Sequence, residues 1–263
     1  MRNIPEDNLA YPISIKMDSG TSGSGFMLNT GSKNFLVTAK HVLFDNKGNI
    51  NGTKAEIICQ TIDLNDESVE KLLIDFLVVK VLFHETADIA AIQIADLIED
   101  KAEGNWDVTY VKGIVQLEKG KSNTVSVMAK NTTKKLKDVL VSNNVFLYGY
   151  PTSLSLNHSP QFDYNKPLLR KGIISNINKS KGTIILDCPV YPGNSGGPVI
   201  EVEQEGLNYR HKVIGVVSEF VPFVQEWVNR SNGLINTEFY NSGYSIAVAM
   251  DNVFEIIGFD PDK

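Results

Sequence analysis

Short apolar or alternating runs recur along the whole chain, most of them four to eight residues long and bounded by Gly, Asn, Asp, Ser or Pro. Alternation, or a brief apolar run between turn residues, marks a strand with one or both faces buried. On this pattern strands are predicted in the first half at Tyr11–Lys16, Ser24–Asn29, Asn34–Thr38, Glu56–Gln60, Phe76–Phe83, Ile89–Ile94, Val108–Gln116 and Thr124–Met128. In the second half they fall at Val145–Tyr148, Gly172–Ile177, Thr183–Leu186, Pro198–Glu203, Lys212–Ser218 and Tyr244–Ala249. Helical periodicity is almost absent. The best helix is the C-terminal "DNVFEII", with Asp251 as its cap and Val253, Phe254 and Ile257 on one face. So many short strands with tight turns predict an all-β sandwich or barrel, and their number exceeds one small barrel, so two packed barrels are expected. The polar stretch Glu118 to Asp138, broken only by "VSVM", places the division between residues 1–130 and 131–263.

Composition narrows the class. The 263 residues are 42% hydrophobic and 21% charged, enough for a sizeable core and unlike a disordered chain. The net charge of −6 and the lack of a strong basic run argue against a nucleic-acid partner. The most basic stretch, "NTTKKLKDVL", reads as a solvated loop. No apolar stretch approaches the ~18 residues of a membrane span, and "MRNIPEDNLAYPISIKM" has no leader-like apolar core. A cytoplasmic protein with no membrane partner is expected. Cys59 and Cys188 each adjoin an apolar run and are expected as buried free thiols, with a single disulfide as the alternative.

One stretch concentrates turn chemistry around a hydroxyl: "PVYPGNSGGPVI", residues 189 to 200, centred on Ser195. A serine hydroxyl is a poor nucleophile until a base takes its proton, and the oxyanion it creates needs donors. Glycines free backbone N–H groups from side-chain cover, so those of Gly193 and Ser195 can converge on one point; an ordinary glycine-rich hairpin is the plainer reading. Four histidines are available as base. His41 ends the run "NFLVTAKHVL" and reads either as a locally satisfied strand-end residue or as an imidazole held toward a cleft. His158 and His211 lie in polar segments and are expected to be solvated; His84 lies in "FHETADIAAI". Asp88 directly precedes the apolar "IAAI", at the mouth of a strand, where a half-buried carboxylate needs a partner such as a histidine N–H. A simple strand-start turn residue is the other reading.

The segments "SGSGFML…NFLVTAKHV", "ADIAAI", "FLYGYP", "KGIIS" and "YPGNSGGPVIE…KVIGVVS" resemble, in content and order, trypsin-like serine proteases, and most of all the HtrA/Deg peptidase domains. The resemblance runs from about residue 20 to the C-terminus. It implies two perpendicular six-stranded β-barrels with a short C-terminal helix and the active site between the barrels. It implies His41 as general base, Asp88 as its orienting partner and Ser195 as nucleophile. It also implies an oxyanion hole from Gly193 and Ser195, with Asn194 holding the turn, and a Ser218 hydroxyl supporting Asp88. Substrate is implied to pair with Ser218, Glu219 and Phe220 as an added strand. The remaining pocket wall falls to Pro189, Val190 and Tyr191 and to Gly243 and Tyr244 of "SGYSIAV".

Departures from the family pattern carry expectations of their own. Asn194 stands where secreted digestive relatives have Asp, so activation by a new N-terminal amine is not expected. No PDZ module is expected after the helix. Ile98 to Asp138 matches the pattern poorly and is expected as an insertion on or near the cleft. Pro189 occupies the place of the carboxylate that selects Lys or Arg, so an uncharged P1 residue is expected. Glu219 either projects into the cleft or faces water. "GTSGSGF" lacks the Gly-Lys-[Ser/Thr] ending of a phosphate loop, and "HETAD" has no further clustered ligands, so neither cofactor nor metal is expected. The functional expectation is hydrolysis of a protein or peptide substrate. The alternatives are an inert peptide-binding module on the same fold and a latent enzyme switched by a regulatory protein partner.

Overall fold

The computed structural model describes residues 4–63, 68–100, 105–152, 160–163, 165–206 and 208–263; His158 lies outside them. The first half carries β1 (Pro12–Met17), β2 (Ser22–Asn29), β3 (Lys33–Thr38), β4 (Lys54–Gln60), β5 (Val69–Asp75), β6 (Val81–Phe83), β7 (Ala90–Asp100), β8 (Asn105–Tyr110), β9 (Ile114–Glu118) and β10 (Val127–Met128). These join in one ten-stranded sheet in the order β6-β7-β3-β2-β1-β4-β5-β9, with β8 beside β7 and β10 beside β2. A one-turn helix, α1 (Lys40–Leu43), follows β3.

The second half carries β11 (Asn144–Gly149), β12 (Leu168–Asn178), β13 (Thr183–Asp187), β14 (Pro198–Glu205), β15 (Asn208–Val228) and β16 (Ile235–Ala249), followed by α2 (Met250–Ile257). They close a barrel in the order β11-β12-β13-β16-β15-β14. The second half is therefore the six-stranded barrel expected. The first has ten strands among the described residues rather than six; the 98–138 region supplies three of them, with β8 pairing beside β7, β9 beside β5, and β10 running parallel to β2.

Burial explains the pattern. Ile13, Ile15, Leu36, Ile57, Leu72 and Ile92 fill the first sheet's core, and Val145, Leu147, Ile174, Leu186, Ile214 and Val217 fill the second. A third cluster joins Phe26, Leu28, Val37 and Ile89 to Phe146, Tyr148, Val216, Val248, Val253 and Phe254, binding the two halves together. Apolar burial of this kind is the main stabilising term. Both cysteines are free and buried.

Several expectations are corrected. Phe76–Phe83 is a strand only at its end, because Asp75 accepts from the Leu77, Val78 and Val79 N–H groups and turns the chain. Val108–Gln116 splits into β8 and β9 around Gly113, whose φ of 93° suits a tight turn. Asp251 does not cap α2, whose N-cap is Ala249; its carboxylate accepts the Leu136 N–H instead. The lysines of "NTTKKLKDVL" are not all solvated. Lys134 is largely buried and pairs with Glu203 and, at 2.8 Å, with the fully buried Glu201. Glu201 also accepts from the Leu140 N–H and the Asn143 amide, which is how a barrel wall tolerates its charge. Lys135 ties this segment to Asp260 and Asp262.

Candidate active site

β3 ends at Thr38, and one residue of extended chain leads into α1, so His41 sits on a helical turn just beyond the strand rather than on it. Its Nδ1 lies 2.8 Å from Asp88 Oδ2, and its backbone N–H donates to Asp88 Oδ1 at 3.0 Å. The Ser218 hydroxyl donates to the same Oδ2 at 2.6 Å. A carboxylate that accepts from Nδ1 fixes the proton there and leaves Nε2 as the basic nitrogen. Ser195 Oγ donates at 3.0 Å to the Ser218 carbonyl. Ser218 thus touches both Asp88 and Ser195 and brings the three residues into one cluster. The Ser195 hydroxyl donates to that carbonyl rather than to His41.

The turn carrying Ser195 is held open. The Pro192 carbonyl accepts from the Thr152 N–H at 3.0 Å. No peptide bond among the described residues is cis, so in that trans unit the Gly193 N–H points the opposite way. Neither the Gly193 nor the Ser195 N–H donates to any described residue. Gly193 has φ of 94°, and a Cβ there would meet the Tyr150 carbonyl at 2.3 Å, so the position requires glycine. Asn194 is buried and locks the turn twice: its Oδ1 accepts the Tyr191 N–H, and its own N–H donates to the Tyr191 carbonyl. Its Nδ2 has no partner among the described residues.

Two supporting residues carried no signal in the sequence pattern. Ser24 of β2, fully buried, donates to the Gly193 carbonyl at 2.6 Å, accepts the Tyr150 N–H, and gives its own N–H to the Ser195 carbonyl. It clamps the serine turn of the second half onto the first sheet. His84 Nδ1 accepts the Thr86 and Ala87 N–H groups at 3.2 and 2.9 Å and shapes the turn that ends in Asp88. The far side of that ring faces Glu255 of α2 at 3.5 Å. The "HETAD" run is thus a turn built on a histidine acceptor; no cluster of three potential metal ligands occurs among the described residues.

The electrostatics follow from these contacts. Hydrogen bonding to Asp88 raises the His41 pKa above its ordinary value of 6.5, against the desolvation that lowers it, and the Asp88 and Glu219 charges add to the rise. Burial on its own lifts the Asp88 carboxyl, but the contacts with His41 and Ser218 outweigh it and hold Asp88 below 3.8.

The residues expected to line a specificity pocket divide. Ser218 is buried, whereas Glu219, Phe220 and Tyr244 are exposed and Pro189, Tyr191 and Gly243 lie between. Val190 packs its side chain into the barrel core and offers only its carbonyl, which accepts the Asn241 amide at 2.7 Å. Arg170 stacks on Tyr191, 4.5 Å from the ring centroid.

An open ten-stranded sheet bearing an imidazole–carboxylate pair, packed on a closed six-stranded barrel bearing a serine in a glycine turn, defines the chymotrypsin-like class of fold. The family model for the trypsin-like peptidase domain matches residues 23–207, well over half the chain, and the chain belongs to that family. A search of curated proteins finds no match.

Proposed function

We propose that the protein is a serine endopeptidase working through an acyl-enzyme, and that among trypsin-like peptidases it stands nearest the HtrA/Deg type. The observation that carries this reading is the Ser218 junction, which holds the His41–Asp88 pair and the Ser195 hydroxyl in one hydrogen-bonded cluster. Ser195 Oγ attacks the scissile carbonyl as His41 Nε2 takes its proton. Asp88 stabilises the imidazolium, and the Gly193 and Ser195 N–H groups receive the oxyanion. His41 then passes the proton to the leaving amine. Water, deprotonated by the same nitrogen, releases the acyl group and restores the hydroxyl.

Pro189, at the sequence position where trypsin-like members carry the carboxylate that selects Lys or Arg, brings no charge, and this favours an uncharged P1 residue. Cleavage of a random peptide library, read by mass spectrometry, is expected to enrich apolar or small residues at P1; strong enrichment of Lys or Arg contradicts the assignment. A latent enzyme is the second reading, supported by the Ser195 hydroxyl resting on Ser218 rather than His41. The Gly193 N–H, which points away from the Pro192 carbonyl and donates to no described residue, weighs against it.

His84 acts in this reading as a positioning residue for Asp88. His84→Ala is expected to lower kcat by roughly 10- to 100-fold with KM little changed, the cost of a loosened carboxylate. His84→Asn should recover most of the loss, because an Asn side-chain oxygen accepts the same two-residues-on N–H in an Asx turn. Equal losses in both variants, in steady-state assays on one peptide, contradict the role.

A further inference from the structure

β15 and β16 are far longer than a barrel needs. β14 leaves β15 at Val216, and β13 leaves β16 at Tyr244. From Pro222↔Asn241 to Val228↔Ile235 the two strands pair only with each other among the described residues. This ribbon displays large apolar side chains on both faces. Directly opposed residues share a face and successive ones alternate, so Phe223, Trp227 and Tyr240 line one face and Val224, Val228, Ile235 and Phe239 the other. Their exposure runs from 47% at Val224 to 68% at Phe239. A bare two-stranded ribbon is only marginally stable in water, and a contiguous exposed apolar patch marks a binding surface. The family match ends at residue 207, before the ribbon begins.

The geometry points to this ribbon as a docking arm for the part of a polypeptide substrate that lies N-terminal to the cleaved bond, an unfolded segment rich in apolar residues with basic or neutral residues between them. The inference rests on the peptidase reading for its direction. β15 is the strand whose Ser218 carbonyl accepts the Ser195 hydroxyl, and among the described residues no strand pairs with the edge vacated by β14 from Ser218 outward. A chain pairing antiparallel with that edge, its reacting carbonyl at Ser195, carries its preceding residues out along Phe220 to Val228. Pro222 and two register breaks, at Val217/Glu219 and Phe220/Pro222, interrupt a continuous backbone ladder. Recognition beyond Phe220 therefore falls to the apolar side chains.

Charge selects among occupants. Residues 219–244 hold Glu219, Glu226 and Glu238 against Arg230 alone, a net charge of −2. That repels an anionic lipid surface and suits Lys or Arg between the apolar residues of a peptide. A second copy would set two such ribbons against each other and pair them across Pro222, a residue that blunts edge-to-edge association.

The test uses the full chain carrying Ser195→Ala, so that binding is read without turnover, and two fluorescein-labelled twelve-residue peptides. One alternates Leu or Phe with Lys; the other has Ser in place of Leu and Phe. Fluorescence anisotropy is expected to give a Kd at least about tenfold lower for the apolar peptide, and Trp227→Ser with Phe239→Ser should erase the difference. Both replaced side chains are exposed, and circular dichroism of the variants checks the fold. In the parent chain, peptides carrying the apolar segment before a cleavable stretch should be cut faster than those carrying it after. Equal Kd for the two peptides, unchanged binding in the ribbon variant, a dimer that only the ribbon variant dissolves, or ribbon-dependent flotation with phosphatidylcholine vesicles each overturns the proposal. Fluorophosphonate labelling of the parent and of the ribbon variant separates the two failures: labelling without peptide preference removes the docking arm alone, and no labelling with intact preference removes the peptidase reading alone.

Discussion

Ser195→Ala is expected to slow peptide hydrolysis by about 10⁴- to 10⁶-fold while leaving the protein folded. The size of the loss comes from removing the only covalent route; what remains is the oxyanion turn polarising a carbonyl toward water. Stability should change little. The Ser195 side chain is partly exposed and makes one hydrogen bond, to Ser218, worth about 1 kcal/mol net. Its backbone contacts, including the carbonyl that accepts the Ser24 N–H, survive the substitution. Steady-state rates on a peptide taken from the library screen, with thermal unfolding as control, check both halves. A loss below about tenfold would show that another group carries the reaction.

Asp88→Asn should cost about 10⁴-fold in kcat for a different reason. The carboxylate takes three donors: His41 Nδ1–H, the His41 backbone N–H and the Ser218 hydroxyl. An amide has one acceptor oxygen. If its NH₂ faces the ring, Nδ1 must lose its proton, Nε2 gains it, and the nitrogen nearest the nucleophile becomes a donor unable to deprotonate Ser195. The pH profile gives a second readout. In the proposed mechanism His41 acts as a base only when neutral, and hydrogen bonding to Asp88 raises its pKa above the ordinary 6.5. The acid limb of kcat/KM in the parent should therefore lie above pH 6.5, activity rising as pH climbs through it. In the Asp88→Asn variant the main contribution to that rise is gone and only the smaller pull of Glu219 remains, so the limb should shift toward lower pH. An unmoved limb would separate Asp88 from the titrating group.

How far the sequence revealed this site depends on which interactions are local. His41, Asp88 and Ser195 stood out because each sits where an apolar run meets a turn, and their order matches a known pattern. Ser24 and His84 gave no such signal: the first acts by reaching across to Gly193, the second by accepting N–H groups within its own turn. β5 escaped the strand pattern because Glu70 and Lys71 interrupt its apolar residues; in three dimensions Glu70 accepts the Tyr110 hydroxyl and Lys71 pairs with Glu118. Lys134 read as solvated because Glu201, which neutralises it, lies far along the chain. The ribbon beyond Ser218 was missed because its apolar residues occupy both faces, erasing the alternation that marks a half-buried strand, and because Pro222 argues against a continuous strand.

The central claim is that an imidazole carried by the first half activates a serine carried by the second. Intact-mass measurement after treatment with a fluorophosphonate tests it most directly, since the reagent bonds only to a serine whose proton is being removed. The account predicts a single adduct on the parent chain, none on Ser195→Ala, and labelling slowed by orders of magnitude in His41→Ala. An adduct that persists in Ser195→Ala, or a parent chain left unlabelled under conditions that saturate an active serine hydrolase, would contradict it.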